Sequence, residues 1–189
     1  MPESGVVVVL AHGAWADGSS WHKVIAGLRS EGVKAVAAPL PLTTLADDVA
    51  ALDRVLERVE GPVVVAGHAY AGAVIASASD DRVASLVYVT ALAPDEGETV
   101  GDVYYWAEHH PEAPALGPDR HGLIWLPEEA FSRAFAQHAS PLEQALLAAK
   151  FKLDEGVEHG SEVAMFGAED TFAIARDAIA MDQSAGLAP

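Results

Sequence analysis

Gly67-His68-Ala69-Tyr70-Ala71-Gly72 decides how this sequence is read. An apolar run, Val63-Val64-Val65-Ala66, enters it, and Ala71-Gly72-Ala73-Val74-Ile75-Ala76 leaves it with the composition of a buried helix. So abrupt a passage from buried strand to helix brings the two backbones nearly into contact, which requires small side chains. Gly67, Ala71 and Gly72 supply them on either side of Ala69. This is the layout of a nucleophile elbow, a strained turn that presents one side chain at the top of a parallel sheet. The usual pattern is G-x-S-x-G, but here the central serine is Ala69 and the second glycine is Ala71. A methyl group cannot attack a carbonyl, so the geometry of the stretch and its chemistry disagree.

Outward from the turn, strands and helices alternate. Gly5 to Ala11 is a continuous, β-branched apolar run that suits a strand covered on both faces. It ends in His12-Gly13-Ala14-Trp15-Ala16-Asp17-Gly18-Ser19-Ser20, a loop of small and turn-forming residues. Ser19 or Ser20 then caps a helix whose apolar face is Trp21, Val24, Ile25 and Leu28, with Gly32 as its stop. Val33 to Ala38 reads as the next strand, closed by Pro39 and Pro41. Thr43 or Thr44 caps a longer helix with the stripe Leu45, Val49, Leu52, Leu56 and Val59. Asp47 and Asp48 lie in its first turn, where the helix dipole favours negative charge. Gly61-Pro62 ends it, and a further strand, Ala84 to Val89, follows the central turn and its helix. The alternation predicts an α/β fold: a predominantly parallel sheet flanked by helices, with Val63–Ala66 central.

Beyond Ala93 the pattern changes. A polar turn, Pro94-Asp95-Glu96-Gly97-Glu98, leads to Tyr104, Tyr105 and Trp106 and a Pro-rich stretch to Pro118. Two short helices follow, Pro127 to Gln137 and Pro141 to Lys150, each with proline in its first turn. They predict a small helical cap at about 95–150 over the carboxyl ends of the strands, within a single domain spanning 1–189.

Composition narrows the function classes. A chain of 189 residues, 51% hydrophobic, is long enough for one packed core. Its formal charge of −17 argues against nucleic acid and anionic membrane surfaces as partners. No apolar run reaches the roughly 20 residues of a membrane span, and the N-terminus lacks the basic start of a signal peptide. Zero cysteines exclude disulfides and thiolate chemistry, so a cytoplasmic location is expected. His109, His110 and His121 match no metal-site spacing, and neither metal nor cofactor is called for.

The ordered combination of these motifs resembles the α/β-hydrolase fold, in its esterase and hydroxynitrile-lyase-like branch. The resemblance is carried by Val8 to Trp15, Ser19-Ser20-Trp21, Pro39 to Thr43, Gly67 to Ile75, Leu86 to Val89 running into Ala93 to Glu98, and His121 to Pro127. It implies acyl transfer by a Ser-His-Asp triad on a small carbonyl or ester ligand. It also implies an oxyanion hole formed by the backbone amides of Ala14 and Tyr70, with His12 and His68 shaping loop and elbow. Ala69 occupies the nucleophile position. Asp170, in Gly167-Ala168-Glu169-Asp170, is the acid that the resemblance implies, with Asp95 as the alternative. The family's histidine comes last, but no histidine follows His159. A divergent tail over 151–189, truncated or altered by about one strand–helix unit, is therefore expected. The function expected is that of an esterase-like protein impaired in catalysis, or of a non-catalytic protein that binds a small ligand in the same pocket.

Overall fold

The computed structural model describes residues 5–105, 113–149 and 152–154. Four strands, β1 (Val7–Ala11), β2 (Lys34–Ala38), β3 (Val63–His68) and β4 (Val83–Val89), form a parallel sheet in the order β2-β1-β3-β4. The register aligns Val7 with Lys34 on one side and Val63 on the other, and brings Ala11 beside Gly67. The expected parallel arrangement therefore holds for all four strands.

Both faces of the sheet are covered, which explains why β1 and β3 read as unbroken apolar runs. Val8, Leu10, Val64 and Ala66 face Trp21, Val24 and Leu28 of the first helical segment. Val9, Ala11, Val63 and Val65 face the opposite side, against Leu52 and Leu56 of α2 (Leu45–Leu56) and Val74 and Ile75 of α3 (Ala71–Ala76). Successive strand residues point to opposite faces, so a run buried on both sides cannot alternate. Each fully buried leucine contributes about 1.5–3 kcal/mol relative to exposure. β4 departs from this, leaving Leu86 and Tyr88 about 40% exposed (38% and 40%).

Local chemistry sets the ends of the elements. The first helical segment begins as a single 3₁₀ turn, Gly18–Trp21, before α1 (His22–Ser30). Its cap is Asp17, whose side chain accepts the Ser19 amide, rather than Ser19 or Ser20 as expected. A carboxylate two residues before Ser19 outcompetes the hydroxyls for the free amides. Thr44 caps α2 by accepting the Asp47 amide at 3.1 Å.

After β4 come α4 (Val100–Tyr105), a short strand β5 (Leu123–Trp125), α5 (Glu128–Ala130), and α6 (Pro141–Ala148) with a Ser140–Glu143 capping box. Strand β6 (Lys152–Asp154) pairs antiparallel with β5. The helix expected over Pro127 to Gln137 resolves into α5 and a π-helical turn, Phe131–Phe135, whose buried rings pack edge-on with centroids 5.0 Å apart. Ile124, Leu126, Ala130, Phe131 and Phe135 join the cluster that contains Trp15, Ala69 and Tyr70. The Trp15 indole N–H also donates to the Ile124 carbonyl at 3.2 Å. The later elements thus pack on the loop after β1 and on the turn that follows β3.

Candidate active site

Ala69 sits between β3 and α3 at φ 51°, in the left-handed region that an L-residue with a Cβ rarely enters. Its carbonyl accepts two amides, from Gly72 at 3.1 Å and Leu92 at 3.0 Å, and these bonds hold the turn closed. The small residues are required by contact. A Cβ on Gly72 would lie 1.9 Å from the Leu92 carbonyl oxygen, and one on Gly67 would lie 2.7 Å from that of Ala71.

The loop after β1 presses against the same point. A Cβ on Gly13 would stand 3.0 Å from the Ala69 methyl and 3.1 Å from the His68 carbonyl oxygen. The next amide along that loop belongs to Ala14, and the next after Ala69 belongs to Tyr70. Both residues are buried, and neither amide donates to an acceptor among the described residues. Buried backbone donors are nearly always paired in folded proteins, so two that meet no acceptor among the described residues stand out beside this strained turn.

His12 is held by hydrogen bonds to two loops. The Leu40 amide donates to its Nε2 at 3.1 Å, so that nitrogen carries no proton and Nδ1–H donates to the Gly13 carbonyl at 3.0 Å. Burial pushes its pKa below the ordinary value and keeps the ring neutral. The His68 ring makes no hydrogen bond among the described residues and stands edge-on to Trp21, with ring centroids 6.4 Å apart. Burial, with a smaller push from His12, lowers its pKa to about 4.

Asp48 is the group that the sequence reading underrates. Placed there only as a dipole partner, it is wholly buried. Its Oδ1 accepts the Leu42 amide at 2.8 Å and its Oδ2 accepts the Tyr70 hydroxyl at 2.7 Å. Desolvation raises the carboxyl pKa, while burial and the adjoining carboxylate push the Tyr70 phenol up. The signal was present in the spacing, because Asp48 stands four residues before Leu52 and eight before Leu56, on the apolar side of α2.

Of the acid candidates, Asp170 lies outside the described residues, as do His109, His110 and His159. Asp95 is an exposed turn residue whose amide donates to the Glu98 carboxylate. His121 belongs to a turn organised by Asp119, which accepts the amides of His121 and Leu123 and the Trp125 indole N–H. Among the described residues no helix is long and apolar enough to cross a membrane.

A sequence model described as "Alpha/beta hydrolase family" matches residues 8–188, running past Lys150, where the resemblance read from the motifs ends. No curated protein matches the sequence significantly. Among solved structures, polyneuridine aldehyde esterase superimposes with a TM-score of 0.68 at 16% identity, covering 87% of this chain and 76% of its own. An extracellular α/β-hydrolase from a Paenibacillus species, described as sharing structural and functional homology with tobacco salicylic acid binding protein 2, gives 0.65 at 20% identity, covering 84% and 70%. A variant of tomato methylketone synthase I complexed with β-ketoheptanoate gives 0.61 at 19% identity, covering 92% and 73%.

Proposed function

Because the chain belongs to the alpha/beta hydrolase family, we propose that the β3–α3 turn is its nucleophile elbow with Ala69 in the serine's place. The amides of Ala14 and Tyr70 form an oxyanion hole for a small carbonyl or ester ligand. The pair of buried, unpaired amides beside a residue at φ 51° carries this reading. An oxyanion hole is built from backbone, so it outlasts the loss of the nucleophile, and each of its donors stabilises a developing oxyanion by about 2.7–4 kcal/mol. Acyl transfer is impaired because Ala69 offers no oxygen to acylate. Asp170 remains the acid candidate of the family pattern, and the segment at about 95–150 the cap over the site.

A second reading is favoured by Ala69 itself. Decarboxylation of a β-keto acid needs no nucleophile, only a place for negative charge. The bond to the carboxylate carbon breaks and CO₂ leaves. The electron pair moves through the enolate onto the carbonyl oxygen, and water then returns a proton to carbon. The two amides are suited to hold that oxygen, and the tomato enzyme of the same fold is described with a β-keto acid bound. The test runs two substrates side by side. Hydrolysis of p-nitrophenyl acetate should not exceed that with an equally acidic bystander protein, whereas 3-oxoheptanoate should yield 2-hexanone with saturable kinetics. If neither substrate turns over yet both bind, the non-catalytic binding role stands alone. Saturable ester turnover would overturn the impairment.

A further inference from the structure

The carbonyl ends of three strands are cross-tied by one buried polar chain. His12, after β1, accepts the Leu40 amide of the loop after β2. Two residues on, Leu42, at φ 56°, donates to Asp48, and the other oxygen of Asp48 takes the hydroxyl of Tyr70 in the turn after β3. The two amides of the proposed oxyanion hole stand at opposite ends of this chain, Ala14 two residues beyond His12 and Tyr70 at the hydroxyl end.

We propose that Asp48 is a positioning residue for the carbonyl site: by holding the Tyr70 side chain and the Leu42 turn together, it fixes where the Tyr70 amide stands relative to that of Ala14. This rests on the oxyanion-hole reading above. Stability alone does not account for such a group. A wholly buried carboxylate costs desolvation, and none of its hydrogen bonds comes from a cation. An apolar side chain of similar size, packed against phenylalanine, would remove the desolvation cost and leave only the Leu42 amide in need of an acceptor, which a neutral hydroxyl or amide side chain could supply. The carboxylate offers instead two acceptors at fixed angles to two donors from different loops, both of them attached to strained backbone turns. The other titratable groups acting on it are His12 and Asp47, and His12 is kept neutral by burial.

The link can be cut from either end without removing bulk. Asp48→Asn keeps the shape but turns one acceptor into a donor, and Tyr70→Phe removes the hydroxyl while leaving the backbone amide in place. The probe is acetophenone, a neutral ketone that cannot be hydrolysed, titrated into the ¹⁵N-labelled full chain. In the parent, the Ala14 and Tyr70 amide resonances should move most. Each variant should bind about fivefold more weakly and show a smaller shift at Tyr70, and the double variant should be no worse than either single one, since both changes cut the same link. Tyr70→Phe keeps the Asp48–Leu42 bond, so it remains informative if Asp48→Asn fails to fold. Parent-like affinity and shifts in Tyr70→Phe, with only a lower unfolding temperature, would overturn the positioning role and leave the carbonyl site standing. If Ala14 and Tyr70 do not respond even in the parent, the oxyanion-hole reading fails and the positioning role falls with it.

Discussion

Ala69 occupies backbone conformation suited to glycine or to a residue with a function there, and it is neither glycine nor a nucleophile. Left-handed backbone costs roughly 1–3 kcal/mol at a non-glycine residue, against about 0.5–1 kcal/mol that glycine loses through chain entropy. Ala69→Gly should therefore fold at least as stably as the parent, with a gain of about 1 kcal/mol in urea unfolding. A clear loss would mean that the turn is not strained. His68 supplies a pH signature. Its folded pKa of about 4 lies below the ordinary 6.5, so the unfolded chain binds the extra proton between those values. The contribution is complete above pH 6.5 and is lost as the pH falls toward 4. His12 acts in the same sense, while Asp48, whose carboxyl is raised, acts in the opposite one. His68→Gln should flatten the fall in urea midpoint between pH 6.5 and 4.5, and an unchanged slope would contradict the burial of that ring. At this scale the tight turn between β3 and α3 was legible because a close backbone contact restricts residue type at several neighbouring positions. Asp48 was not recognised because a carboxylate in a first helical turn already has a sufficient electrostatic explanation.

Among elements, those read well from sequence bury long regular faces. β1 and β3 are unbroken apolar runs because helices cover both sides, and the stripe of α2 ends in Leu52 and Leu56, which reach the core. The elements missed are short. β5 and β6 have three residues each, less than any period can reveal, and their pairing joins segments far apart in the chain. The π-helical turn at Phe131–Phe135 could not be told from an α-helix in the sequence, because residues four apart share a face in an α-helix as well. The cap of α2 has mechanical importance because that helix carries Asp48 one turn in. Thr44→Ala should cost about 1 kcal/mol of stability, read as a lower urea midpoint at unchanged slope. A neutral result would show that the first turn is held by Asp48 and not by its cap.

In the whole molecule, a parallel sheet carries the proposed site at the carbonyl ends of its strands, with later elements packed against the loop after β1 and the central turn. The formal charge of −17 repels anions at long range and screens poorly at low salt, so an anionic ligand confounds binding at the site with the field of the protein. A neutral ketone avoids this. The central claim is that its oxygen accepts hydrogen bonds from the Ala14 and Tyr70 amides. The most direct measurement is isotope-edited infrared difference spectroscopy of carbonyl-¹³C acetophenone bound to the full chain. Two buried donors in a site shielded from water polarise a carbonyl more than bulk water does, so the bound C=O stretch should lie below its frequency in aqueous solution. A bound stretch at the frequency found in an apolar solvent would place the ketone in a pocket without donors and contradict the account.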